Sequence, residues 1–299
     1  SIERLVISLY AKGMSVADIE SEMQEIYGIN LSTSAISIIT NKVSQAATEW
    51  QNRPLDSLYM IVWMDGLVFK VRENGKVINK TVYLCVGLNK EGLKEVLGMW
   101  IGKNESAAFW MGVLTDLKAR GVEDILITVT DNLNGFTETI KSVFPAFTTQ
   151  ICVVHQIRNS CRYVVWKEKK EFTADLKNIY NAPTKEAAEM ELDNFEQKWG
   201  AKYPYAIRSW RNNWEELTVF FDFPVEIRKI IYTTNLIENL NGKIRKYTKN
   251  KLSFPNDDAL KKSVYLAINE IEKKWYQPIW NWALIFNQFI TIFENRIQV

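Results

Sequence analysis

Three carboxylates stand in settings where they could do chemistry. Asp65 closes the apolar run Tyr59-Met-Ile-Val-Trp-Met-Asp65, and Asp131 closes Ile125-Leu-Ile-Thr-Val-Thr-Asp131. Glu238 sits within the helix-like stretch Tyr232-Thr-Thr-Asn-Leu-Ile-Glu238-Asn-Leu-Asn. Short apolar runs bounded by turn residues read as buried strands, so each aspartate is expected where a sheet meets solvent. Divalent cations such as Mg2+ take oxygen ligands, and shared carboxylates let two of them sit close together. Two strand-end aspartates followed by a helical glutamate are the skeleton of a two-metal phosphoryl-transfer site. Any one of them alone reads as solvated surface; the order of all three carries the inference.

The elements that must position these acids follow from periodicity. Residues 59–72, 77–89 and 94–102 read as three strands, parted by the turns Glu73-Asn-Gly-Lys76 and Asn89-Lys-Glu-Gly92. A helix is expected from Glu105 to about Arg120, then a strand over 124–130, a helix near 133–143 and a short strand near 147–152. The order βββ-α-β-α-β, with acids closing the first and fourth strands, predicts an α/β protein with an RNase H-like catalytic core, a mixed sheet flanked by helices. Asp131 and Glu238 are 107 positions apart, too far for that core alone. The intervening stretch is helical and rich in aromatics, including Trp166, Trp199, Trp210, Trp214 and Phe220-Phe221. It predicts an all-helical insertion.

Four segments result: 1–54, small and helical; 55–152, the first part of the core; 153–231, the insertion; and 232–299, the glutamate helix and C-terminal helices. Two of the last are expected over Pro255–Trp275 and Ile279–Ile297. In the first segment, a helix near Leu5–Tyr10 and one near Ile19–Ile26 precede a third over Ser32–Lys42, capped by Ser or Thr. That spacing is helix-turn-helix-like. Three basic against six acidic residues before Gln51 leave DNA binding and dimerisation both open for it. The tryptophans read first as core anchors, Trp63 within a strand and Trp110 on an apolar helix face.

At 299 residues, 47% hydrophobic and 24% charged, the chain has the composition of a globular protein able to bury a sizeable core. No apolar run approaches the roughly 20 residues that span a bilayer, so no membrane partner is expected. Cys85, Cys152 and Cys161 are too few and too irregular for a disulfide framework. They fit a reducing, cytoplasmic setting.

The net charge of +2 is small, but its distribution is uneven. Asn239 to Lys251 carries five basic residues and no acid, directly after Glu238. Gln156 to Lys170 carries five basic residues and one acid, directly after His155. Basic surface beside an acidic site suits a polyanion, since phosphate neutralisation supplies most sequence-independent affinity for DNA. Arg158 and Arg162 fall one helical turn apart, and Arg245 and Lys246 stand about two turns beyond Glu238. These four are the candidate DNA-binding residues.

Tyr232-Thr-Thr-Asn-Leu-Ile-Glu-Asn-Leu-Asn-Gly-Lys-Ile-Arg245 resembles the signature around the catalytic glutamate of the bacterial Mutator-type insertion-sequence transposases. Trp63-Met-Asp-Gly with Lys70-Val-Arg72 looks like that family's first aspartate block, and Thr130-Asp131-Asn-Leu-Asn-Gly-Phe136 like its second. Leu97–Gly102, the Glu105–Trp110 block and Gln150–Asn159 are similar to further family blocks, so the likeness runs from about Ala11 to the neighbourhood of Trp275. One departure is Asn132, where the family usually has glycine; a short polar residue also adopts turn geometry. The resemblance implies a DDE transposase that cleaves DNA at transposon ends and transfers strands into target DNA. Two Mg2+ ions would be held by Asp65, Asp131 and Glu238, with Mn2+ able to substitute. It also implies a homodimer on DNA, no small-molecule substrate, and further sequence before Ser1.

The single histidine, His155, follows Cys152 by three residues. Cys-x-x-His is half of a zinc site, which needs four ligands. In the family that signature recurs between the second aspartate and the glutamate, which implies His155 as a catalytic-site residue contacting DNA or supporting the acids; the plainer reading is a satisfied histidine at a helix start. Two alternatives to the transposase reading share these motifs: an RNase H-like nuclease that cuts without joining, and a catalytically silent transposase-derived DNA-binding protein.

Overall fold

β1 (Leu58–Glu73) and β2 (Lys76–Leu88) meet at the Asn74-Gly75 turn, whose φ values of 52° and 76° are the left-handed geometry of a two-residue hairpin. Glu73 pairs with Lys76 beside the turn, and the antiparallel register runs back to Ile61 opposite Leu88. β3 (Lys94–Gly102) extends the hairpin along β2, with an irregularity between Cys85 and Val86. The computed structural model describes residues 1–103, 106–131, 136–232 and 236–298. Glu105, Asn132, the expected helical start at 133–135 and the Thr233–Asn235 part of the glutamate signature lie outside the described residues.

The chain divides into two compact units, Ser1–Glu123 with Leu236–Trp280, and Asp124–Asn235 with Asn281–Val299. The first opens with α1 (Ile2–Ala11), α2 (Val16–Glu25) and α3 (Thr33–Asn52), ahead of β1–β3 and α4 (Ala107–Ala119). Ser1, Ser15 and Ser32 cap the first three helices, each accepting a backbone N–H three residues on. This satisfies donors that a helix start leaves open. α3 runs ten residues beyond the Lys42 expected from the sequence. Its buried stripe Ile36, Thr40, Val43 and Ala47 continues past that point at helical spacing.

In the second unit, β4 (Asp124–Thr130), α5 (Phe136–Val143) and β5 (Thr148–Ile151) are followed by a run of helices. These are α6 (Val153–Cys161), α7 (Lys169–Tyr180), α8 (Lys185–Trp199), α9 (Pro204–Asn212), α10 (Trp214–Leu217) and α11 (Val225–Tyr232). Short 3-10 turns stand at Trp166–Glu168 and Val219–Asp222. β4 and β5 pair in parallel, Thr130 opposite Ile151. Buried aromatics hold the helices: Phe172 packs edge-on against Phe195, Trp199 and Tyr203. Trp199, Trp210 and Trp214 are buried and donate their indole N–H to Asp175, Ser160 and Glu189. An indole has a donor that burial would otherwise leave open.

The chain then returns to the first unit with α12 (Leu236–Thr248) and α13 (Asp257–Glu272). Leu266 of α13 joins Val6, Tyr10, Ile19, Met23, Ile36 and Val43 in one apolar cluster, so the N-terminal helices share a core with the later segment. α14 (Trp282–Ile292) is shorter than the expected Ile279–Ile297 and follows Asn281, whose φ is 63°. It belongs to the second unit: Gln288 donates to Glu226, and Arg296 grips Asp124 with two hydrogen bonds of 2.8 and 2.7 Å. The two units thus cut across the four segments read from the sequence, with β4, α5 and β5 grouped with the helical run, and α14 apart from α12 and α13.

The architecture is α/β, with mixed strand pairing: antiparallel among β1–β3 and parallel between β4 and β5. Among the described residues, no helix is long and apolar enough to cross a membrane.

Candidate active site

Asp65 lies in the middle of β1, not at a strand end as the apolar run implied. Leu58 through Asp65 are all buried. From Leu67 onward burial alternates, with Leu67, Phe69 and Val71 inward and Val68, Lys70 and Arg72 exposed. The apolar run therefore marks where β1 stops being covered on both faces. Asp65 itself is only 7% exposed. The Gly66 N–H donates to its Oδ1 at 2.8 Å. A Cβ at position 66 would stand 2.8 Å from Thr81 Cγ2 on β2, so any larger residue there would force that side chain to shift.

Glu238 occupies the first turn of α12, where a negative charge suits the helix dipole. One turn later on the same face, Asn241 donates its Nδ2 to Asp65 Oδ2 at 2.8 Å. Within the first unit, the helix of the glutamate is thereby fastened to the strand of the first aspartate. Asn241 was absent from the sequence-based candidates. Its spacing of three from Glu238 was the available signal, but spacing says nothing of what the helix faces.

In the second unit, Asp131 directly follows β4, as expected. The Cys152 N–H donates to the Thr130 carbonyl at 2.7 Å, prolonging the parallel pairing past the end of β5. Asp131 and the start of α6 thus stand together beyond the carboxyl ends of two parallel strands, where α/β sheets place their ligands. His155 is buried in the first turn of α6. A carboxylate oxygen of Asp131 and a ring nitrogen of His155 lie within 4.8 Å of each other, a spacing that suits two ligands of one ion. Among the described residues, neither Cys152 nor any other cysteine joins a group with metal-ligand spacing, so the zinc half-site finds no completing partners. Gln156 and Ser160 fix α6 to α9, through Gln156 Nε2 to Ser209 Oγ at 2.9 Å and Trp210 Nε1 to Ser160 Oγ at 2.8 Å.

The candidate DNA-binding cations are all exposed. Arg158 and Arg162 stand one turn apart at the end of α6, the Arg162 guanidinium lying 5.6 Å from the Tyr163 ring centre. Arg245 lies over the Phe69 ring and donates to the Val68 carbonyl at 3.3 Å. With Lys70, Lys249 and Lys251 it lines a cavity of about 380 Å³ in which no acidic residue takes part. Lys70 was not among the cations singled out from the sequence. Burial, assisted by nearby Lys262, lowers Lys251 to about 8. Of the tryptophans, Trp63 and Trp110 are buried core residues as expected, whereas Trp166 is 87% exposed.

A family model described as "Transposase, Mutator family" matches residues 1–278. A probable transposase for an ISRM3-like insertion sequence element of Sinorhizobium fredii is 44% identical over 97% of this chain and 73% of its own length. A probable insertion-sequence transposase of Corynebacterium diphtheriae is 40% identical over 91% of this chain and 80% of its own. The solved Drosophila P element transposase strand transfer complex aligns with 99% of this chain and 92% of its own at 12% identity. Its TM-score of 0.30 is too low to bear on the fold.

Proposed function

The chain belongs to the Mutator family of transposases, and from that premise we propose that it cleaves DNA at the ends of an insertion sequence and joins those ends to target DNA. The reading places Asp65, Asp131 and Glu238 as the DDE acids of an RNase H-like core, with His155 beside them. The observation that carries it is the Asn241–Asp65 hydrogen bond, which secures the first aspartate to the face of α12 that bears Glu238. The family match supports the reaction, and the motif order supports the three acids.

The donor set is rich in carboxylate oxygen, which suits Mg2+ and Mn2+ better than softer metals. Asp65, Asp131 and Glu238 would hold two such ions. Such ions would supply Lewis acidity at the attacking and leaving oxygens. The protein's own groups do the rest. The acids set the positions of the ions, and His155 donates a hydrogen bond to a phosphate oxygen. Arg158, Arg162, Arg245 and Lys246 neutralise backbone phosphates on either side of the cut. Two transposon ends must be held together, so the working form is a homodimer on DNA.

The test is an assay of end-bearing DNA with Mg2+, scored for 3′ cleavage and for joined products. Asp131→Asn keeps the shape of the side chain and removes a charged ligand worth several kcal/mol in the transition state. Cleavage should fall by roughly 100-fold or more, while binding to the ends persists. Cleavage without joining in the parent protein would identify a nuclease. Equal cleavage by parent and variant would remove Asp131 from the site.

A further inference from the structure

The Asn241 side chain is buried at its oxygen and engaged at its nitrogen, and the two ends have different fates. Nδ2 donates to Asp65 Oδ2 at 2.8 Å, while the Gly66 N–H donates to Asp65 Oδ1, also at 2.8 Å. Each carboxylate oxygen thus has a donor from a different element, one on β1 and one on α12. Donors reaching both oxygens fix the plane in which the Asp65 carboxylate lies. The amide orientation is decided by the acid, since turning the amide over would set oxygen against oxygen.

The other end of the amide has no such arrangement. Asn241 Oδ1 is buried and accepts no hydrogen bond. Buried amide oxygens are nearly always satisfied, and no apolar packing reason calls for an asparagine at this place. A leucine of similar size would fill the same space without leaving an acceptor open. Asn241 therefore serves this place through its Nδ2, which reaches the acid from the helix face that carries Glu238.

We propose that Asn241 is the positioning residue of the metal site, its Nδ2 fixing the Asp65 carboxylate relative to the helix that carries Glu238. This rests on the two-metal reading given above and adds to it a residue outside the acid triad. Partners that orient metal-ligating side chains typically change metal affinity or activity by about 10–100-fold when they are removed.

The experiment measures Mn2+ binding without DNA, by calorimetry, for the parent, Asn241→Leu, Asn241→Ala and Asp65→Asn. Thermal midpoints, end-DNA affinity and cleavage are recorded alongside. Asn241→Leu preserves bulk and Asn241→Ala avoids overpacking, so at least one reports on a folded protein. The expected result is Mn2+ affinity weakened by about 10–100-fold, unchanged end-DNA affinity, and a loss of kcat partly restored by raising Mn2+. A merely structural asparagine would lower the thermal midpoint and would not respond to Mn2+ concentration. Parental Mn2+ affinity in a folded Asn241 variant, with affinity lost in Asp65→Asn, overturns the role of Asn241 alone. Parental affinity in both overturns the two-metal reading itself.

Discussion

Gln150 and Phe220, 70 positions apart, are joined by a buried hydrogen bond in which the Phe220 N–H donates to Gln150 Oε1 at 2.9 Å. Nε2 of the same side chain donates to the carbonyls of Leu217 and Ile151, both at 2.7 Å. One amide near the end of β5 thereby ties down two backbone groups of the Leu217–Phe220 stretch that leads toward α11. The glutamine of the Gln150–His155 block is thus a clamp that holds the segment ahead of His155 in place.

Gln150→Leu should accordingly destabilise the second unit. It leaves the Phe220 N–H and the Leu217 carbonyl buried without a partner, at about 1–3 kcal/mol for each group. A loss of roughly 2–5 kcal/mol is expected from urea unfolding followed by tryptophan fluorescence. A loss below about 1 kcal/mol would mean that water takes over the role of the amide.

His155→Ala separates chemistry from packing. Cleavage and strand transfer should drop while circular dichroism and thermal midpoint stay close to those of the parent, because His155 stands against Asp131 beyond the strand ends. Metal analysis of the purified protein should find no stoichiometric zinc. One zinc per chain, lost together with the fold on chelation, would restore the half-site reading. Full activity in a folded, zinc-free variant would leave His155 as packing.

Arg158→Ala with Arg162→Ala should weaken binding to end DNA and flatten its salt dependence. The slope of log affinity against log salt is expected to fall by up to about one unit for each DNA phosphate that is no longer neutralised. An unchanged slope would return both arginines to the solvated face of α6.

Lys251 offers a test by pH. Its ammonium donates to Ser263 Oγ and lies 4.0 Å from the Tyr10 ring centre, with Lys262 also close to that ring. Burial lowers it from 10.5 to about 8. Between those values the unfolded chain holds a proton that the folded protein has released, so this residue's contribution makes stability rise with pH across that window. Below it both states are charged and the folded protein bears the cost of burying the charge. Lys251→Met should therefore be more stable than the parent near pH 7, and the gap should narrow as pH climbs toward 10.5. A gap independent of pH would show that Lys251 is not charged and buried in the folded protein.

Much of this protein is written locally. The strands expected over 94–102 and 124–130 have those bounds in the structure, and the hairpin forms at Asn74-Gly75, because alternation and turn chemistry act over a few residues. The acids, the lone histidine and the basic stretches could likewise be singled out from types and spacing. What the sequence left undecided are relationships between distant residues. That Asp65 is mid-strand depends on which faces of β1 other elements cover. That α3 continues past Lys42 suits a stripe whose partner, Leu266 of α13, lies more than two hundred positions away. Trp166 and Trp210 look alike in sequence, yet one is 87% and the other 2% exposed. Asn241 finds Asp65 across 176 positions, and no periodicity within α12 announces it. A helix face is encoded by its own residues, but the group it meets is chosen only when the apolar faces of separate elements are buried together.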